Sequence, residues 1–271
     1  MSDLGRLAEV ATAAAREASG LIMSVYGTAF EVQYKAKDDP VTRADREAND
    51  LLCRRLAQAL PGVPIVAEES DPSSYAGFAQ AGSAWFVDPL DGTREFVERN
   101  GEFAVMIGLA VGGSARIGVI AAPAWGRTFV GVVGEGAWEV APHGDRTPIR
   151  VSERATLAGA SVVVSRSRRP ARLASILEKM RASAAFPHGS SGLKGALVAI
   201  GAHDVYLQPG NAGMRWDACA TDALVRAAGG LLTQADGTDI DYAANELTNA
   251  RGMVATNGRL HTAVLDALRE D

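Results

Sequence analysis

The chain has 271 residues, 47% of them hydrophobic, enough to build the core of one large domain or two small ones and too many for a disordered or fibrous protein. Its 27 basic and 32 acidic side chains leave a net charge of −5, so no global field draws it to nucleic acid or an anionic membrane, and an anionic ligand must be held locally. Cys53 and Cys219 lie far apart with no Cys or His at metal-ligand spacing, which argues against a disulfide framework or a zinc site and suits a reducing compartment.

In the first segment, residues 1–27, Leu4, Leu7, Ala8, Ala11, Ala15, Ala18, Ile22 and Val25 recur at three- and four-residue spacing and predict an amphipathic helix. The segment opens acidic and carries Arg6, Glu9, Arg16 and Glu17, unlike a signal peptide. A second helix is predicted over 42–60 on the i, i+4 row Ala44, Ala48, Leu52, Leu56 and Leu60, stopped by Pro61-Gly62. Short apolar runs at 63–67 and 84–87 read as buried strands whose carboxyl ends carry Glu68 and Asp88. Residues 103–111, 115–121 and 127–140, rich in Val and Ile with Gly-containing breaks, predict an antiparallel meander.

From residue 151 strands alternate with helices: a strand at 161–165, helices near 171–180 and 193–202, a strand at 204–207, and helices at 217–228 and 260–268. This layering predicts a first lobe over 1–150 and a second over 151–271. No apolar run reaches the roughly 18 residues of a membrane span, so a soluble cytoplasmic protein is expected.

The most informative stretch is Asp88-Pro89-Leu90-Asp91-Gly92-Thr93. Two carboxylates three residues apart at a strand-to-turn junction, followed by Gly and a hydroxyl, suit a hard cation, while the turn's amides face an anion. The same residues suit a Pro-containing loop with an Asp-Gly turn in which both aspartates bond backbone amides. Glu68 and Glu69 follow a strand, Asp217 opens a helix after Trp216, and Asp45 lies near the start of the second helix. A solvated loop pair, an N-cap and a Thr42–Asp45 capping box are their structural readings. Convergence in one cleft separates the two sets: clustered carboxylates need compensating cations, and oxygen ligands select Mg²⁺ or Mn²⁺ over zinc. Metal-assisted hydrolysis of a phosphate ester then follows. Neither Gly-x-Gly-x-x-Gly after a strand nor a P-loop is present, and His143, His188, His203 and His261, without ligand spacing, are expected in loops or on the surface.

In that order and at those separations, Glu68-Glu69-Ser70, Asp88 through Thr93, and Trp216-Asp217-Ala218-Cys219-Ala220 resemble the inositol monophosphatase superfamily of metal-dependent, lithium-sensitive phosphatases, over nearly the whole chain. The run Gly92-Thr-Arg-Glu-Phe-Val-Glu-Arg-Asn-Gly-Glu-Phe103, with Ser191-Gly192-Leu193-Lys194 and Asp241-Tyr242, resembles its CysQ subgroup of 3′(2′),5′-bisphosphate nucleotidases. The resemblance implies an α/β (layered α+β) protein, a five-layer αβαβα sandwich. It implies that Glu68, Asp88, Asp91, Asp217 and the carbonyl of Leu90 bind two or three Mg²⁺ ions, with Mn²⁺ a possible substitute. Thr93 and Asp45 match the pair that orients and deprotonates the attacking water, with Glu68 in support.

Gly92, Thr93, Arg168, Ser191 and Lys194 are the implied substrate contacts, with a capped helix and an exposed lysine as the plainer reading of the last two. Arg168 stands where the subgroup's Ser-Arg-Ser-His has histidine, and either pairs with phosphate, stacks on adenine or belongs to a solvated basic loop. The implied reaction is hydrolysis of adenosine 3′,5′-bisphosphate to AMP and phosphate, by a monomer or homodimer with a small phosphorylated nucleotide as partner and neither nucleic acid nor membrane. Inositol monophosphate and fructose 1,6-bisphosphate are alternative substrates, because the acids handle only the phosphoryl group and its metals. A non-catalytic nucleotide sensor would show loss of a metal ligand or of Thr93, and neither is lost.

Overall fold

The first apolar stripe forms α1 (Asp3–Tyr26), capped by Ser2, whose hydroxyl accepts the Gly5 N–H at 2.9 Å. The computed structural model describes residues 2–36, 39–167 and 171–269. A hairpin of β1 (Gln33–Ala36) and β2 (Asp39–Val41) follows, then α2 (Arg43–Ala59). Ile22 of α1 and Leu52 and Leu56 of α2 are fully buried in one cluster, because each helix turns a single stripe onto the same sheet.

That sheet has seven strands in chain order: β3 (Ile65–Ala67), β4 (Ser83–Asp91), β5 (Ala104–Val111), β6 (Ser114–Ala122), β7 (Arg127–Val132), β8 (Gly136–Val140) and β9 (Arg146–Pro148), with α3 (Thr93–Val97) between β4 and β5. Only β3 and β4 are parallel. The run 127–140 is therefore two strands, broken at the turn 133–135. β4 also runs past residue 87 through the whole Asp88–Asp91 stretch rather than ending in a turn. Both faces of the sheet are covered, which is why β4 and β5 read as apolar runs without alternation.

The chain continues through β10 (Ser161–Ser165), α4 (Leu173–Lys179), β11 (Ala184–His188), α5 (Ser191–Ala199), β12 (Val205–Gln208), α6 (Trp216–Ala227), β13 (Leu231–Thr233), β14 (Met253–Thr256) and α7 (His261–Leu268). The second sheet is ordered β11-β10-β12-β14-β13, parallel around β10 and antiparallel at β14. α5 and α6 pack between the two sheets, while α4 and α7 cover the far face through Ile176, Val264 and Leu268. The layers are thus α1/α2, first sheet, α5/α6, second sheet, α4/α7, the five-layer αβαβα arrangement.

What seats α6 is a row of glycines. Gly108, Gly118 and Gly131 pair side by side across β5, β6 and β7, and a Cβ on Gly118 would stand 2.1 Å from the Ala220 carbonyl oxygen. The helix backbone lies directly on the sheet, which fixes where its N-terminus ends.

His261 departs from the expected surface position. It is 5% exposed at the start of α7, with Nε2 2.9 Å from Thr233 Oγ1 and Nδ1 3.1 Å from Thr256 Oγ1. Two hydroxyls satisfy both ring nitrogens, which is what permits its burial.

Candidate active site

Strand alternation places the first carboxylate. Ala84 and Phe86 of β4 face the inner layer and Trp85 and Val87 the outer one, so Asp88 points inward, toward α6. The β4–β5 register then slips: Asp88 pairs Met106 and Asp91 pairs Ala104, leaving Pro89 and Leu90 opposite a single residue. Such a bulge tolerates a proline that has no N–H to give and re-aims the strand end. Asp88 Oδ1 accepts the Leu90 N–H at 2.9 Å, and Gly92, at φ 96°, turns the chain into α3.

β3 runs parallel to β4 with Ala67 beside Val87, and the Glu68 N–H continues that ladder to the Val87 carbonyl at 3.1 Å. Glu68 therefore leaves the sheet next to Asp88. Asp217 arrives from the other side as the second residue of α6; its Oδ2 accepts the Met214 N–H at 2.6 Å, and it lies inside the helix rather than at the N-cap. Asp88, Asp91 and Asp217 each bring a carboxylate oxygen to within 4.8 Å of the others.

Asp45 combines both readings of its sequence position. Its Oδ2 accepts the Thr42 N–H at 2.8 Å and the Thr42 hydroxyl at 2.7 Å, closing the capping box of α2, while Oδ1 accepts the Thr93 hydroxyl at 2.9 Å. The Leu90 carbonyl is a second acceptor for Thr93, at 3.1 Å. Glu68, Asp88, Leu90, Asp91, Gly92, Thr93, Ser191, Lys194 and Asp217 all line one cleft of about 350 Å³.

Lys194 is not the exposed lysine of the plainer reading. It is 4% exposed, its ammonium donates to the Ser190 carbonyl at 2.6 Å, and it lies 5.2 Å from the Tyr206 ring centre. Ser191 Oγ bonds the Asp217 carbonyl at 3.0 Å, tying α5 to α6 beneath the cleft. Arg168 lies outside the described residues.

Electrostatics match the crowding. Burial, then the charges of Glu68, Asp91 and Asp217, push the Asp88 carboxyl well above its ordinary range. Burial also raises Glu68, against Lys35, whose ammonium lies 2.9 Å from Glu68 and 2.7 Å from Glu69. Burial raises Asp45 against its hydrogen bonds from Thr42 and Thr93. Two buried carboxylates, Asp88 and Asp91, with the half-buried Asp217 beside them form a crowded set of oxygens that a hard divalent cation fits. Lys35 and Ser190 carried no functional signal in the sequence: one works from a distant hairpin, the other through an unusual backbone angle.

The model of the inositol monophosphatase family matches residues 3–271. The chain belongs to the inositol monophosphatase family. It is 37% identical to the 3′(2′),5′-bisphosphate nucleotidase CysQ of Escherichia coli, over 86% of this chain and 92% of that one. Among solved structures it resembles extragenic suppressor protein SuhB from Bartonella henselae, with a TM-score of 0.82 and 28% identity over 97% of this chain and 98% of the other. CysQ from Bacteroides thetaiotaomicron, a bacterial member of the inositol monophosphatase family, gives 0.77 at 28% identity, over 93% of this chain and 97% of its own. Membership of this phosphatase family, generally metal-dependent, agrees with the acidic cluster, and the family fold is the five-layer fold described above.

Proposed function

We propose that the protein hydrolyses the 3′-phosphate of adenosine 3′,5′-bisphosphate to AMP and phosphate. The observation that carries this reading is the convergence of Asp88, Asp91 and Asp217 within 4.8 Å, in a cleft also lined by Thr93, whose hydroxyl donates to the buried Asp45 behind it. The nucleotide follows from likeness to relatives named as 3′(2′),5′-bisphosphate nucleotidases.

Glu68, Asp88, Asp91, Asp217 and the Leu90 carbonyl would hold the cations. Bound divalent ions, two or three Mg²⁺ with Mn²⁺ as substitute, supply water activation and neutralise the charge developing on the leaving oxygen. Thr93 Oγ takes a proton from the attacking water as its own passes across 2.9 Å to Asp45 Oδ1. The raised Asp45 carboxyl is the better acceptor for it. Water attacks phosphorus, the bond to the 3′ oxygen breaks, and that oxygen takes its proton from solvent. Gly92, Ser191 and buried Lys194 give the cleft donors and a positive charge for phosphate, with Arg168 as a further contact. In this reading the chain divides at residue 150: the lobe 1–150 supplies most ligands and the proton acceptor, and the lobe 151–271 supplies Asp217 and the substrate side.

Phosphate release with Mg²⁺ tests this, comparing adenosine 3′,5′-bisphosphate with inositol 1-phosphate and fructose 1,6-bisphosphate. A kcat/KM at least about tenfold higher for the nucleotide, roughly 1.4 kcal/mol of discrimination, is expected. Preference for either sugar phosphate contradicts the substrate assignment.

A further inference from the structure

Glu102 lies outside the acidic cluster yet touches both sides of the cleft. Its N–H donates to Asn100 Oδ1 at 2.9 Å, and its carbonyl oxygen lies 2.9 Å from where a Cβ on either Gly92 or Gly189 would stand. Its backbone is therefore wedged between the turn that carries Asp91 and the segment 189–192. The side chain spans the same gap: Oε2 accepts the Gly189 N–H at 2.6 Å and Arg166 Nε at 3.0 Å, and Arg166 Nη2 reaches Oε1. Against the push of burial, the Arg166 and Gly189 bonds hold the carboxyl below its ordinary range.

The segment it grips is strained. Ser190 has φ 53° and ψ 126°, a conformation that residues bearing a Cβ rarely adopt and that persists only when its surroundings over-determine it. In that conformation Ser190 Oγ donates to Asp91 Oδ2 at 2.5 Å, and the Gly192 N–H donates to the same oxygen at 2.7 Å. Oδ2 carries both bonds, which leaves Oδ1 as the donor for a cation. On the α5 side the turn is held by the Leu193 N–H on Ser190 Oγ at 3.1 Å and by Lys194 on the Ser190 carbonyl at 2.6 Å. On the β11 side the His188 carbonyl accepts the Arg166 N–H at 3.0 Å and Lys194 at 3.4 Å, and the bond nearest Ser190 is the Gly189 N–H on Glu102 at 2.6 Å.

We propose that Glu102 is a positioning residue: by holding the Gly189 amide it keeps the strained Ser190 turn closed on Asp91 and fixes that carboxylate for cation binding. This rests on Asp91 being a cation ligand, as read above. The acceptor atom, more than the charge, performs the role, so glutamine substitutes for glutamate and alanine does not. Partners of this kind around metal ligands are what set ligand orientation and affinity.

The test reads Mn²⁺ binding to the metal-free protein by calorimetry, beside turnover of adenosine 3′,5′-bisphosphate with Mg²⁺. Glu102→Ala is expected to weaken Mn²⁺ binding and lower kcat each by about tenfold, with KM changed by less than about threefold. Glu102→Gln, whose amide oxygen still accepts the Gly189 N–H, should restore both to within about threefold of the original protein. Glu102→Met, close in volume and without an acceptor, should repeat the alanine losses, and it is the variant read if the alanine protein does not melt cooperatively. Mn²⁺ affinity unchanged in the alanine and methionine variants would overturn the proposal. So would a glutamine variant as impaired as alanine, which would assign the effect to the Arg166 charge pair. If the unaltered protein binds Mn²⁺ but releases no phosphate, the reaction proposed above fails on its own, and the Mn²⁺ affinities still decide the role of Glu102.

Discussion

Asp45 serves two structures with one carboxylate, because the capping box uses Oδ2 and leaves Oδ1 for Thr93. Asp45→Asn removes the proton acceptor we propose and is expected to lower kcat by about 100-fold, the lower range for loss of general-base catalysis. The cap loses about 1 kcal/mol, a few degrees of melting temperature for a chain of this size. Steady-state kinetics and thermal melts on the same samples check both, and a kcat within about threefold of the original would remove Asp45 from the reaction. At this scale the sequence was informative where chemistry is written in residue type. The acids at 45, 68, 88, 91 and 217 and the hydroxyl of Thr93 stand out because carboxylates and Asp-Gly-Thr turns have few uses together. Ser190 and Glu102 were opaque, since their parts depend on one backbone angle and on bonds between residues 87 positions apart.

Elements with a full period were legible, and those shaped by their neighbours were not. α1 and α2 follow stripes of three and four residues, and their observed bounds agree with the predicted ones within a few residues. β13 and β14 were missed because three or four residues in a sheet covered on both sides carry no alternation to read, and β1, β9 and β11 because they lie exposed, with no buried face to imprint a period; the three-residue β2 was missed with its partner β1. The bulge at Pro89 and Leu90 was hidden too: it is a property of the β4–β5 pair, and it turns a stretch that reads as a loop into strand. The glycines at 108, 118 and 131 look like turn residues until pairing sets them in one row beneath α6. Gly118→Ala tests that seat. The clash is with the Ala220 carbonyl, which no rotamer change relieves, so about 3 kcal/mol or more of stability should be lost. Because α6 carries Asp217, turnover should fall with it. Unchanged melting and turnover would mean the helix does not rest on the glycine row.

Over the whole molecule, two buried groups away from the cleft oppose each other in acid. Burial pushes the Asp222 carboxyl up to about 6, against bonds from Arg226 at 2.6 Å and the Tyr242 hydroxyl at 3.2 Å. Its folded value exceeds the unfolded 3.8, so its contribution is present below about pH 4 and lost as pH rises through 6. Burial lowers His261 to about 4, so its contribution is present above 6.5 and lost as pH falls through 4. Denaturant unfolding between pH 4 and 7 should show the stability of Asp222→Asn gaining on the original by about 3 kcal/mol as pH rises. His261→Gln should gain in the opposite direction, as pH falls. Curves parallel to the original would contradict both assignments. The alternation of strands and helices after residue 151 foretold the layering, while the packing of α6 from the second half against the first sheet became visible only in three dimensions. That crossing brings Asp217 to Asp88 and Asp91, and the central claim is that the three acids form a cation-dependent phosphatase centre. The measurement that tests it most directly is phosphate release from adenosine 3′,5′-bisphosphate across a Mg²⁺ titration, for the original protein and for Asp91→Asn. Saturable Mg²⁺ dependence, with turnover reduced by at least about 100-fold in a variant that melts normally, is predicted; release that ignores Mg²⁺ or survives Asp91→Asn would contradict it.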